Sequence, residues 1–352
     1  MSARKNAPGR REDRGAAGSG GKGRTVVAVV LVAGACLIIG LLIGRSRTTP
    51  PASPGASETA AVTRSAASRP APAAGPEAPR LPAGFDTLPA TTTPQTFACC
   101  QNPKDAATLV WVPGTAGQTG PATANGAFLM GSDPKDAFTN ELPRHEVVLS
   151  GFWLYQDEVT NEQFARFAAA LPSNVPPAVQ SEIRAWAKRV KPGREKHPAG
   201  GLSWAACGAY AAGVNCRLPT EAQWEWAARG PSGFKYPWGN TWEAKKSCNK
   251  EHKGDPTFPV GSFLPGASWC GALDMSGNVW EWCQDYYADK YQAERQTNPT
   301  GPTSGTTRVV RGGFWGTEQS VSQTTVRIGP PPDLKGVSPR EGVGFRCVAE
   351  AG

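Results

Sequence analysis

Histidine is scarce in this chain, three residues in 352, and no cysteine stands between Cys283 and Cys347. His145, His197 and His252 lie more than fifty residues apart, so no His-x3-His helix pair is available to hold a metal. None of the nine cysteines forms a Cys-x2-Cys pair, which argues against a structural zinc site. Basic charge is scarce where it would matter for nucleic acid. Residues 1–47 carry nine Lys and Arg against two acids, which leaves 28 basic and 27 acidic residues beyond and places almost all of the formal +8 in the N-terminal segment. With no basic stripe left to follow phosphates, nucleic acid is not an expected partner. There is no internal repeat, and all 12 tryptophans fall between Trp111 and Trp315, which locates the ordered core in the C-terminal 250 residues.

What is present begins with a basic, Gly-rich segment, residues 1–24, too poor in apolar surface to order itself. An uncharged run over 25–44 follows, long enough for a helix to cross about 30 Å of hydrocarbon. The charge asymmetry predicts a cytoplasmic N-terminus, a single membrane anchor and an external C-terminal domain, periplasmic or extracellular. The alternative is a cleaved signal, since Ala33-Gly34-Ala35-Cys36 faintly resembles a lipoprotein processing site. Residues 45–96, rich in Pro, Ala and Thr, are expected to be a semi-rigid tether, with the domain over 97–352. Eight cysteines beyond the span fit an oxidising compartment with disulfides.

Within the domain the strands are short: Leu109–Val112, Phe128–Met130, Val147–Leu149 and Phe152–Leu154. Thr160 with Gln163 and Thr220 with Gln223 form capping boxes that open helices. The first presents Phe164 and Phe167 on one face; the second carries Trp224, Ala227 and Ala228 inward. A third helix starts at Ser203, and Val179, Ile183 and Trp186 at helical spacing predict a weaker one inside an insertion over 172–200. Few helices and many loops indicate an α+β class.

The most informative segment is Leu273-Asp274-Met275-Ser276-Gly277-Asn278-Val279-Trp280-Glu281-Trp282. Asp274 and Glu281 can supply carboxylate oxygens, and Gly277 and Val279 carbonyls, an oxygen set of the kind Ca²⁺ prefers. The competing reading is a buried aromatic strand, Trp280 and Trp282 on one face, with its carboxylates in solvent. Phe128-Leu129-Met130-Gly131-Ser132, Glu158-Val159-Thr160-Asn161, Arg217-Leu218-Pro219-Thr220-Glu221, Arg311-Gly312-Gly313-Phe314-Trp315 and Gly344-Phe345-Arg346-Cys347 surround it in order. Together these segments resemble the formylglycine-generating enzyme, or sulfatase-modifying factor, family over residues 108–350.

The resemblance implies a complex C-type-lectin-like fold braced by Ca²⁺. It matches Asp274, Gly277, Val279 and Glu281 to one calcium site. It implies a second at Asn249, the carbonyl of Lys250 and Asp255, on a segment shorter than the family's. Trp315 and Arg327 would border the family cleft. Active members oxidise a sulfatase cysteine with O₂ and a copper ion held by two thiolates, whose positions here are Thr317 and Ser322. Neither supplies the soft ligand Cu(I) requires, so copper is not expected. The iron-dependent relatives use a further helical domain that bears the metal ligands, for which these 352 residues are expected to leave no room. The resemblance also puts Cys347 at a bridging position, with Cys207 as its favoured partner one turn before Ala211, the usual place, and Cys216 as the alternative. Cys99 and Cys100 need separate partners, and Cys248 with Cys270 is plausible. Three functions stay open: a calcium-stabilised, non-catalytic module binding a protein, peptide or glycan; an oxidoreductase of the formylglycine-generating type; and a purely structural envelope role.

Overall fold

The structure, a computed structural model, describes residues 80–88 and 97–352. The basic tail, the apolar run over 25–44 and most of the expected tether lie outside them. Among the described residues no helix is long and apolar enough to cross a membrane.

The first sheet has the order β1 (Asp86–Thr87), β2 (Cys99–Gln101), β3 (Thr108–Val112), β7 (Phe152–Tyr155), β13 (Val348–Glu350), so the last strand closes beside β7. The ordered fold therefore starts before residue 97. β1 pairs with β2 through Asp86↔Gln101 and Thr87↔Cys100, while Phe85 is buried and Leu81 packs on the core. Asp86 and Thr87 are exposed, so no alternation announces the strand; backbone pairing and one aromatic anchor hold it.

Both faces of this sheet are covered, and the side chains sort by parity. Leu109, Trp153, Tyr155 and Ala349 enter one core with Phe164, Ile183, Trp186 and Tyr210. Val110, Val112, Phe152, Leu154 and Val348 enter the other with Phe128, Trp224 and Trp226. The run Phe152-Trp153-Leu154-Tyr155 is apolar throughout because neither face meets water. A second sheet, β4 (Thr123–Ala124), β5 (Ala127–Met130), β6 (His145–Val148), β9 (Gln296–Thr297), extends the second core. The third, β11 (Arg327–Ile328), β10 (Arg308–Arg311), β8 (Trp280–Tyr286), β12 (Val343–Gly344), carries the central Trp-Glu-Trp segment.

The helices form where their caps predict. In α1 (Asn161–Ala169) Gln163 N donates to Thr160 Oγ1 at 3.2 Å and Thr160 N to Gln163 Oε1 at 2.8 Å. The same reciprocal box opens α4 (Glu221–Arg229) at Thr220. Ser203 Oγ caps α3 (Trp204–Gly213) by accepting from Ala206 N. The insertion forms α2 (Pro177–Ala187), with proline in its first turn, where the missing N–H costs nothing. Glu182 fastens it by accepting from Ser203 N at 2.7 Å and Ser203 Oγ at 2.6 Å.

Phe164 is the hub of this side, with ring centroids at 4.7 Å from Trp186, 5.5 Å from Tyr210 and 6.0 Å from Phe345. Phe164→Ala opens a cavity bordered by α2, α3 and the C-terminal segment, and is expected to cost about 3–5 kcal/mol in urea unfolding. A loss below about 1 kcal/mol would mean that the insertion does not share this core.

Candidate functional site

After β10 the chain turns through Gly312 and Gly313, at φ +96° and +75°. A side chain on Gly313 would lie 2.8 Å from Thr317 Oγ1, so the turn needs glycine on both counts. It folds back so that Thr317 Oγ1 and Ser322 Oγ stand 3.0 Å apart, 2% and 0% exposed. Thr317 Oγ1 accepts from Phe314 N and donates to Phe314 O at 2.7 Å; Ser322 Oγ donates to Glu318 O at 3.0 Å. Two neutral hydroxyls already committed to backbone partners do not fit a Cu(I) ion, which takes thiolates. Trp315, expected at the family cleft, lies half-buried beside this turn against Phe314.

Arg327 does not line that cleft. It is 3% exposed, hydrogen-bonded to both carboxylate oxygens of Glu221 at 2.6 and 2.9 Å and stacked against Tyr287 and Tyr291. A neighbouring set joins it, in which Arg311 pairs with Glu225 and Arg229 with Glu225 at 2.9 Å. Arg311 Nε lies 3.1 Å from Glu221 Oε1 but without hydrogen-bond geometry. The spacing of Glu221, Glu225 and Arg229, one helical turn apart on α4, was the sequence signal for this network.

Glu281 faces Arg346 rather than solvent, so its carboxylate is buried instead of exposed beside the aromatic strand. Arg346 Nε and Nη2 donate to Glu281 Oε2 and Oε1, each at 2.7 Å, and Trp224 Nε1 donates to Oε2 at 2.8 Å. Both ionic side chains are fully buried. Glu281 is therefore the counter-ion of Arg346, a partner that the calcium expectation did not include.

Asp274 stands across the same loop at φ +55°, with Oδ2 accepting from Gly261 N at 2.7 Å. Gly277, at φ +93°, has no room for a side chain, since a Cβ would fall 2.0 Å from Cys248 O. Val279 is fully buried. Sequence reading passed over two carboxylates here, Asp157 and Glu158. Glu158 Oε2 accepts from Asn278 Nδ2 at 2.9 Å, while Glu158 Oε1 and Asp157 Oδ1 are buried without a hydrogen-bond partner. Burial pushes Asp157 up to about 6, and burial with the field of Asp157 pushes Asp274 up to about 7. Glu158 is also raised, by burial and then by Asp274. The orphaned oxygens fit a cation. Even so, among the described residues no three metal-ligating side chains converge closely enough to hold one unaided.

Of the second expected calcium set, Asn249 Oδ1 accepts from Glu251 N to close a turn, and Asp255 is exposed and paired with Arg194 at 2.7 Å. The structure does not hold the expected bridge, since Cys207 and Cys347 are separate buried thiols.

Residues 106–351 match the profile of the sulfatase-modifying factor enzyme 1-like domain. The chain belongs to the sulfatase-modifying factor family. The formylglycine-generating enzyme of Thermomonospora curvata is 32% identical over 286 residues, covering 65% of this chain and 92% of that protein. The mouse protein named inactive C-alpha-formylglycine-generating enzyme 2 is 33% identical over 277 residues, covering 64% and 84%. Serine/threonine-protein kinase Pkn1 of Chlamydia trachomatis is 40% identical over 203 residues, covering 54% of this chain. The chain spans about a third, 32%, of that kinase's length. PvdO from Pseudomonas aeruginosa shares the fold at a TM-score of 0.57 and 23% identity, covering 73% of this chain and 100% of that one. The family thus contains both active oxidases and inactive members.

Two outcomes test the buried charges of this sulfatase-modifying factor domain. Glu281→Gln leaves the Arg346 guanidinium without its counter-charge and should cost about 3–5 kcal/mol, whereas a joint Glu281→Leu, Arg346→Met replacement should recover much of the loss. Asp285, whose Oδ2 accepts from Glu221 N, is held at about 7 by burial and then by Glu221. Between about pH 4, where the unfolded carboxyl titrates, and pH 7 the folded chain keeps a proton the unfolded chain has released. This contribution is therefore fullest below about pH 4 and fades as pH rises to 7. Urea stability of wild type relative to Asp285→Asn should fall by about 1–3 kcal/mol across that window; parallel profiles would refute the assignment.

Proposed function

We propose that this sulfatase-modifying factor domain is a non-catalytic binding module that takes a protein, peptide or glycan ligand at the surface around Trp315. One observation carries the reading. Thr317 and Ser322, the residues at the family's copper-ligand positions, are in mutual contact, buried and hydrogen-bonded to the backbone. The turn thus keeps the close approach of the two side chains while replacing both soft ligands with hydroxyls. The mouse relative named as inactive supports a family branch of this kind.

The second reading, a formylglycine-generating oxidase, draws on the likeness to the Thermomonospora enzyme over 92% of its length. It needs a redox centre other than a thiolate pair in the turn after β10. Calcium, where bound, would brace the loop through Asp274 with the carbonyls of Gly277 and Val279, and the unpartnered oxygens of Asp157 and Glu158 favour a cation nearby. Its part is structural, holding the turn at Gly277 that Trp315 N joins through Asn278 O. The apolar run over 25–44 and the charge before it favour a single anchor with the domain outside the cytoplasm.

Incubated with copper, O₂ and a cysteine-containing sulfatase peptide, the purified chain is expected to give no aldehyde above a copper-only control by mass spectrometry. Detection of that product would overturn the non-catalytic reading. Chelation should lower the melting temperature of wild type, and Asp274→Ala should remove the response to added Ca²⁺. A melting temperature indifferent to chelation would eliminate the calcium brace.

A further inference from the structure

On the face of the first sheet that meets α1–α3, four thiols share one core: Cys100, Cys207, Cys216 and Cys347. Strand register orders them. Cys100 pairs with Leu109, Leu109 with Tyr155, and Tyr155 N donates to Cys347 O. Cys100 and Cys347 are thus three strand spacings apart, about 14 Å, beyond the reach of a disulfide.

Cys216 approaches this row from the loop after α3. Arg217 and Val348 form a hydrogen-bonded antiparallel pair, which puts Cys216 diagonal to Cys347 by two positions. Such neighbours sit about 7–8 Å apart, wider than the Cα separation a disulfide accepts. On its other side Cys216 meets the end of β2. Asn102 Nδ2 lies 3.7 Å from Cys216 Sγ and donates to Val214 O at 2.8 Å. Asn102 is two residues from Cys100, so both side chains leave the same face of the strand. Lys104 Nζ adds bonds to Gly213 O and Asn215 Oδ1. The segment 100–104 is therefore laid along 213–216 by side-chain contacts, one of which reaches Cys216 Sγ, and Cys216 lies near enough to Cys100 for its charge to bear on that thiol, while Cys99 packs toward the opposite face.

We propose that Cys100 and Cys216 form a disulfide that fastens the N-terminal strand pair β1–β2 to the loop after α3. The reaction is a thiol–disulfide exchange. A disulfide oxidant, small or protein-borne, accepts the two electrons; its S–S bond breaks, an S–S bond forms between the two cysteines, and the two protons pass to the oxidant's sulfurs. In the folded chain burial holds both thiols up at about 12, and the thiolate is the attacking species. The bridge accordingly closes as the chain folds in an oxidising medium rather than on the finished domain. Once closed, it links the point where the N-terminal segment enters the domain directly to the core that holds Phe164 and Tyr210.

The test is to refold the full chain in a glutathione–glutathione disulfide buffer, block remaining thiols with N-ethylmaleimide, digest without reduction and map linked peptides by mass spectrometry. The expected result is a peptide pair joining the segments of Cys100 and Cys216 that disappears on reduction. It should persist in Cys99→Ser and be lost in Cys100→Ser, where Cys216 becomes alkylated. Cys216 linked to Cys347, or Cys100 and Cys216 both alkylated in wild type, would overturn the proposal. Wild-type mapping alone decides it if the Cys100→Ser variant fails to fold.

Discussion

The guanidinium of Arg346 is the constraint on which the loops of this domain depend. All five of its N–H groups are used. Two go to Glu281, two to the carbonyls of Tyr155 and Gln156, and one to Leu273 O. A fork with fixed geometry thereby ties the end of β7, the loop before Asp274, the Trp-Glu-Trp strand and the C-terminal segment to one point. Burying such a pair adds little net stability over a well-packed apolar substitute, but half of it left alone is strongly unfavourable. Its effect is specificity. Long loops with few regular hydrogen bonds acquire a single arrangement because only one satisfies this guanidinium.

That arrangement accounts for the concentration of unneutralised carboxylates nearby. Arg346 spends its charge on Glu281, and its field only partly offsets the burial of Asp157, Glu158 and Asp274. The three therefore rest in a region where their ionised forms are penalised. Such a site either keeps protons or recruits a cation. The same loop feeds the hydroxyl turn through Gly277 N to Gly312 O and Trp315 N to Asn278 O, so whatever settles the carboxylates also settles Trp315.

Much of this was readable from residues alone, because the features concerned are local. Capping boxes at Thr160 and Thr220, the cap at Ser203 and the spacing of Val179, Ile183 and Trp186 each specify a helix within a dozen residues. The motif series around Asp274 identified the family. What escaped were the facts set by pairing across long separations. Glu281 was read with Asp274 because the two are seven residues apart, yet its partner is Arg346, 65 residues on. Arg327 was placed at the family cleft by the resemblance alone; its partner, Glu221, is 106 residues away. Asp86 and Thr87 form a strand with both side chains in solvent, where no hydrophobic pattern exists to be read.

The two halves of the buried charge system differ in what they permit. Glu221 and Glu225 lie among Arg229, Arg311 and Arg327 between α4 and the third sheet, with Tyr291 donating its hydroxyl to Glu221 at 3.0 Å. Both carboxylates have guanidinium partners, so this half holds shape. The half around Asp157, Glu158 and Asp274 has more carboxylate than cation and two oxygens without partners. The turn at Thr317 and Ser322 draws on neither half, because both hydroxyls are hydrogen-bonded to the backbone and add no buried charge. The shape of that turn thus rests on the conformations of Gly312 and Gly313 and on hydroxyl–backbone hydrogen bonds, not on paired charge.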